Sequence, residues 1–393
     1  MFAGSPNKTF SYYVDDVQLL RGEHEIVEEP LPENSITSVG ENLGKPIRKA
    51  TLMRGAIGQD GEGRNVIYTV VAGAPSIFTM IDLATEKVVK SMAMPDTSGA
   101  WSVTMSNDGS VYLGAYNLGL LYRYIPSTDE LINLGHPLAT KDSVLYPMAA
   151  GKDGIMYGST YPTANLYEYN PTTNQFKDYG TMSTLTSGER WTRVVAYDEQ
   201  THKIYAGVGN TPRLLEYDLT TGAKRDLLPA GFENIISVYD LNIAGGKLFA
   251  RKEANNANET FVIDIASGEM VELTNADTGA VSTSFINFSR GMSPVSPVAN
   301  KIYFAGTAGE LFEYDLDTDV YKSLGASIEG AAIAYEFVQL DEEGFPGYSL
   351  VGLSGNSGKL FKYNLETGNV KLTDVQVPAE PVNIHDIAKG PDG

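Results

Sequence analysis

Both tryptophans, Trp101 and Trp191, and five arginines, Arg190, Arg193, Arg213, Arg251 and Arg290, fall in polar stretches between short alternating apolar runs. Tyr116, Tyr146, Tyr161 and His136 fall in stretches of the same kind. Two chemistries suit such a set. One is β-elimination on a uronic-acid glycan: a guanidinium neutralises the sugar carboxylate, a His or Tyr takes the α-proton, and an acid protonates the leaving oxygen. On that reading His136, Tyr146, Tyr161, Arg190 and Arg193 are the catalytic candidates. The other is recognition without catalysis, in which aromatic faces stack on sugar rings and hydrogen-bonding groups fix their orientation. On that reading Trp101, Tyr116, Trp191, Arg213, Arg251 and Arg290 hold the ligand. Each residue also has a plainer assignment. A loop arginine is usually solvated or salt-bridged, His136 precedes Pro137 in a long loop, and Tyr161 sits in a repeated motif where it packs. His24, His202 and His385 lie in a linker, a polar turn and an early strand, where they are weaker candidates.

These residues are positioned by a repeat. A run of alternating apolar residues, an Asp- or Asn-led turn and a second alternating run recur seven times, as in Leu166-Tyr167-Glu168-Tyr169-Asn170-Pro171 and Leu214-Leu215-Glu216-Tyr217-Asp218. The residue before the turn stands at 81, 124, 169, 217, 263, 314 and 363, a period of roughly 47. Alternation of period two is that of a strand with one buried face, and Asp or Asn opens a turn by capping backbone N–H groups. About 25 residues upstream of most hairpins a second polar turn precedes an apolar run, as in Lys152-Asp153-Gly154 before Ile155-Met156-Tyr157-Gly158. Four short strands per unit at this period predict an all-β chain folded as a β-propeller. Repeat tyrosines such as Tyr124, Tyr169, Tyr217, Tyr314 and Tyr363 then belong to the blade core. The loops joining strands two and three, and those joining successive blades, gather over the central channel and carry the candidates above.

Seven complete units run from about residue 48 to 375. An eighth begins at Asn383-Ile384-His385-Asp386 and stops at Gly393, while Ile36-Thr37-Ser38-Val39 resembles a fourth strand. The expectation is a seven-bladed ring, or an eight-bladed ring truncated at its C-terminus and closed by strands from both ends. The domain reading is a terminal strand of a neighbouring module at 1–21, a linker at 22–35 rich in Glu and Pro, and the propeller at 36–393. Residues 9–20, through Tyr13-Val14-Asp15-Asp16-Val17, read as one amphipathic strand.

Gly151-Lys152-Asp153-Gly154-Ile155-Met156-Tyr157-Gly158-Ser159-Thr160-Tyr161-Pro162, with Leu166 to Pro171 and Asp178-Tyr179-Gly180, resembles a blade of large secreted bacterial propeller proteins. Their group includes virginiamycin B lyase and several polysaccharide lyases. Glu189-Arg190-Trp191-Thr192-Arg193 with Lys203 to Gly209 is similar to the next blade of that group, and Ser159 stands where the group usually has Gly. The YVDDV stretch is similar to the last strand of jelly-roll carbohydrate-binding modules. The resemblance implies an extracellular setting and a polysaccharide or oligosaccharide partner. Its motifs encode mainly fold, and a shared fold does not carry activity with it.

Composition narrows the remainder. The 393 residues hold 29 Lys+Arg against 49 Asp+Glu, a net charge of −20, and no Cys. Zero Cys excludes disulfides, a thiol nucleophile and Cys-ligated metal. The acidic excess disfavours nucleic acid, and no apolar run is long enough for a membrane helix. No phosphate loop, nucleophile elbow or HExxH is present, so no cofactor is expected. Asp315-Leu316-Asp317-Thr318-Asp319 has acidic spacing but lacks the later Gly and Glu of a calcium loop, and no metal is expected there. The chain is read as a monomeric glycan-binding propeller module, with a polysaccharide lyase as the alternative.

Overall fold

The computed structural model describes residues 2–4, 8–13, 18–22, 50–188, 190–254, 259–285, 291–340, 342–354 and 358–378. The chain forms two compact units, 1–47 and 48–393. In the first, Phe2–Gly4, Lys8–Tyr13 and Gln18–Gly22 form a three-stranded antiparallel sheet. Ser11 stands opposite Leu20 and Tyr13 opposite Gln18, so the stretch read as one strand is a hairpin. Asp15 and Asp16 fall between the two arms, and Asp is poor in strands and good in turns.

The second unit is a β-propeller. Apart from a short 3-10 turn at Lys152–Gly154, its regular structure among the described residues is strand. The first blade is Leu52–Gln59, Asn65–Val71, Ser76–Asp82 and Lys87–Met94, antiparallel and in chain order from the channel outward. The second (Ala100–Met105 to Glu130–Gly135) and seventh (Ala332–Gln339 to Val370–Asp374) repeat it. The third runs from Val144–Leu145 to Gln175–Thr181, and the fourth from Trp191–Asp198 to Lys224–Asp226. The hairpin turns work as the sequence predicts. Asp218 Oδ1 accepts from the backbone N–H of Thr220 and Thr221, both at 2.8 Å, and Asn170, Asp264, Asp315 and Asn364 cap their turns in the same way. The repeat tyrosines Tyr124, Tyr169 and Tyr314 are buried.

Two blades depart from the four-strand pattern. In the fifth (Ser237–Ala244, Lys247–Glu253 and Glu259–Asp264) the outer segment pairs briefly at Met270 and Val271. It then crosses, so that Leu273–Asn275 runs parallel to the outer strand of the sixth blade, Val320–Ser327. The inner edge of the sixth is a Pro-containing segment in which only Ser293 and Ser296 donate to Tyr303 and Lys301. Pro294 and Pro297 have no N–H to give, which prevents a continuous ladder there.

Each pair of neighbouring blades encloses one apolar cluster. Tyr68, Phe78 and Tyr124 lie between the first and second, and Phe249, Phe304 and Tyr314 between the fifth and sixth. The last interface joins the seventh blade to the first, where Ile333, Val351 and Leu353 pack with Leu52, Ile57 and Ile67. Among the described residues the apolar clusters therefore link each blade to the next and the last to the first. The stretches 36–39 and 383–393 expected to form an eighth blade lie outside the described residues.

Candidate functional site

The inner strands surround a channel, and at the end where they begin several of them carry a β-bulge. Pairing skips Trp101 between Ala100 and Ser102, Arg193 between Thr192 and Val194, and Tyr239 between Val238 and Asp240. The first and seventh blades have bulges at the same level, around Arg54 and Ile333. A bulge adds one residue, bends the strand and re-aims a side chain. Here it sends three large side chains toward a common point.

Arg193 is at the centre of that point. Its guanidinium carbon lies 4.2 Å from the ring centroid of Trp101, 4.6 Å from that of Tyr146 and 4.2 Å from that of Tyr239. It also donates to the Tyr239 hydroxyl at 2.5 Å. Arg251 lies on the same tyrosine at 4.1 Å. Beneath them Asp240, 2% exposed, accepts from Arg54 and pairs with Arg251 at 3.2 Å. Arg54 belongs to the first blade and Asp240 to the fifth, so this ion pair spans the channel. Burial pushes the Asp240 carboxyl up, but the guanidiniums of Arg54 and Arg251 outweigh it and hold the group below its ordinary range. Burial raises the Tyr146 phenol, and Arg193 only partly offsets this.

Two aromatic pairs are partly exposed, and one of them includes Trp101 of the cluster. Trp101 and Tyr116 are 6.2 Å apart, and Tyr161 and Trp191 are 6.5 Å apart. Each pair lies across a glycine. A Cβ on Gly99 would stand 2.1 Å from the Tyr116 hydroxyl, and one on Gly209 would stand 1.8 Å from Trp191 Nε1. A larger residue at either place would collide with the ring.

Of the candidates named from sequence, Trp101, Tyr116, Tyr146, Arg193 and Arg251 come together, and Tyr161 and Trp191 form the adjoining pair. The others do not join them. Arg190 fastens blades, its backbone bridging to Thr163 and its Nε donating to the Thr163 carbonyl at 3.1 Å. Arg213 is engaged by Asp226 of the outer strand at 2.8 Å. His136 follows the outermost strand of the second blade, Glu130–Gly135, and among the described residues no hydrogen bond or ring contact links it to the cluster. Arg290 lies outside the described residues. Sequence reasoning missed Arg54, Tyr239 and Asp240. A signal for Tyr239 existed: Trp101, Arg193 and Tyr239 each precede the turn of their own repeat by about 24 residues.

No protein-family model and no curated protein matches the sequence. Solved propeller structures do match the fold. Hydrazine synthase of Kuenenia stuttgartiensis aligns with a TM-score of 0.55 at 12% identity, over 86% of this chain and 100% of its own. The RRP9 WD40 repeats align at 0.54 and 8% identity, over 78% and 88%. Virginiamycin B lyase of Staphylococcus aureus aligns at 0.51 and 12%, over 71% and 85%. At such identities the likeness defines the class, a β-propeller, and carries nothing about what the site does.

Proposed function

We propose that the propeller binds a glycan across the channel mouth, in the extracellular setting that its family resemblance implies. The observation that carries this reading is the presence of two partly exposed aromatic pairs, Trp101–Tyr116, whose indole also meets the Arg193 guanidinium, and Tyr161–Trp191. Pyranose rings stack on such faces, while arginine and tyrosine donors hold their hydroxyls.

Lyase chemistry is the second reading, and the contact between Arg193 and Tyr146 favours it. Two features weigh against it. The raised Tyr146 phenol is a poor base near neutral pH, and three aromatic rings crowd the Arg193 guanidinium. The test is retention on immobilised glycans, acidic and neutral, by the whole chain and by Trp101→Ala and Trp191→Ala. Binding that both variants weaken supports the reading, and no retention on any glycan sinks it. Ultraviolet absorbance of an unsaturated product, followed on uronic polysaccharides, decides between binding and cleavage.

A further inference from the structure

One residue joins the two aromatic pairs. Val144, at the inner start of the third blade, pairs with Tyr161 on one side and with Tyr116 of the second blade on the other, antiparallel both times. Tyr116, Val144 and Tyr161 thus stand in one row across three strands. Directly opposed residues of an antiparallel pair carry their side chains on the same face, with Cα atoms about 5 Å apart. Tyr116 and Tyr161 therefore rise from one face about 10 Å apart. Val144, itself partly exposed, lies between them.

Asp142 fastens this row from below, where it is 4% exposed. Its Oδ2 accepts from the Thr163 hydroxyl and from the Thr163 backbone N–H at 3.2 Å, which pins the loop that follows Tyr161. Its Oδ1 accepts from the Thr140 hydroxyl at 2.8 Å. Its own carbonyl oxygen abuts the loop that follows Tyr116, so closely that a Cβ on Gly119 would overlap it. One residue on, the Ser143 N–H donates to the Tyr161 carbonyl at 3.0 Å. Hydrogen bonds to a carboxylate are roughly twice as strong as neutral ones, so this is a firm hold.

We infer that the two aromatic pairs form one binding row for a single oligosaccharide, and that Asp142 is the positioning residue that sets its span. This rests on the glycan reading and narrows the ligand to a chain of pyranose rings, since one ring is too short to reach from Tyr116 to Tyr161. Two sites engaged by one chain gain about a hundredfold or more in affinity over either alone, and the gain is lost when the spacing no longer matches.

Calorimetric titration of the whole chain with gluco-oligosaccharides and oligogalacturonates of about one to six units tests this. Affinity should rise about a hundredfold between the single sugar and the chains that reach both pairs. Asp142→Ala should lose most of that rise. Asp142→Asn should restore it, because the amide accepts from Thr163 and donates to the Thr140 hydroxyl. Thr163→Val removes one donor and should lose part of the rise, so it remains informative if Asp142→Ala fails to fold. A second readout needs no ligand. With Trp101→Phe, Trp191 is the only tryptophan left, and its emission should shift in Asp142→Ala through the Tyr161 contact and return in Asp142→Asn. Affinity independent of chain length, or a rise that the folded variants all retain, overturns the inference and leaves the glycan reading standing. Unchanged Trp191 emission in Asp142→Ala overturns the positioning role. No binding by any member of either series overturns the inference and counts against the glycan reading itself.

Discussion

Arg193, in the fourth blade, holds its guanidinium 4.2 Å from the ring of Trp101 in the second, so a cation–π contact reaches past the blade between them. Tyr146 of that third blade and Tyr239 of the fifth complete the enclosure. One side chain thus ties together the mouths of four consecutive blades. Its planar, weakly hydrated cation suits this position, where an ammonium would lose more hydration and present no flat face.

Arg193→Met should therefore loosen the mouth without changing the fold. A desolvated cation–π contact is worth about 2 kcal/mol, and the three here share one cation and do not add. Urea unfolding should show a loss of that order. In a Trp191→Phe background, Trp101 emission should shift as the ring gains freedom. Unchanged emission would mean that Arg193 does not position Trp101.

The glycines beneath the aromatic pairs should be intolerant of substitution. Gly209→Ala places a methyl where Trp191 Nε1 now lies, so the indole must swing away. We expect altered Trp191 emission and weaker glycan retention, with a melting temperature close to that of the parent. Retention equal to the parent's would separate Trp191 from the binding surface.

Asp240→Asn removes a buried carboxylate that faces Arg54 and Arg251. Breaking a buried ion pair from one side costs about 3 kcal/mol or more, because the remaining charges lose their partner. Thermal unfolding should show the loss, and adding Arg54→Met should recover part of it. A fully additive double variant would show that the pair is not energetically coupled.

Acid should weaken the closure of the ring. Lys362, with a side chain 2% exposed, meets Glu86 of the first blade at 2.6 Å and Glu342 at 2.8 Å, and Lys371 bridges the same two carboxylates. Burial works against the charged form of Glu86. Hydrogen bonds from Lys362, Lys371 and Thr373 overcome it and bring the pKa from 4.5 down to about 2. A carboxylate depressed in the folded state contributes stability that is complete above its unfolded pKa and lost as pH falls through the folded one. The window here is from about pH 4.5 down to about pH 2. Unfolding free energy should fall across it, and Glu86→Gln should flatten that slope. Lys362→Met, which leaves two carboxylates without their central cation, should cost about 3 kcal/mol at neutral pH.

The blade architecture was legible in the sequence because its determinants are local. Period-two alternation and Asx-led turns act within a few residues, so the repeats announced the blades, and Tyr124, Tyr169 and Tyr314 read correctly as core. The pairing of Lys8–Tyr13 with Gln18–Gly22 was missed because residues 14–17 between them include no glycine to punctuate the run. The crossing of Leu273–Asn275 onto the sixth blade was not legible either, since strand pairing between blades leaves no periodic mark.

The channel mouth divides along the same line. The sequence by itself placed Trp101, Tyr116, Tyr146 and Arg193 in loops or near strand starts of their repeats, while Arg251, read as a loop residue, lies inside the strand Lys247–Glu253. Which of them meet was decided only by the tertiary structure. Ring closure brings Arg54 to Asp240, 186 residues further along the chain, and strand register sends Arg213 to Asp226 instead of the channel. The bulges that aim Trp101, Arg193 and Tyr239 inward arise from two strands pairing with unequal residue counts. That inequality is a property of the pair, and neither strand's residues specify it alone.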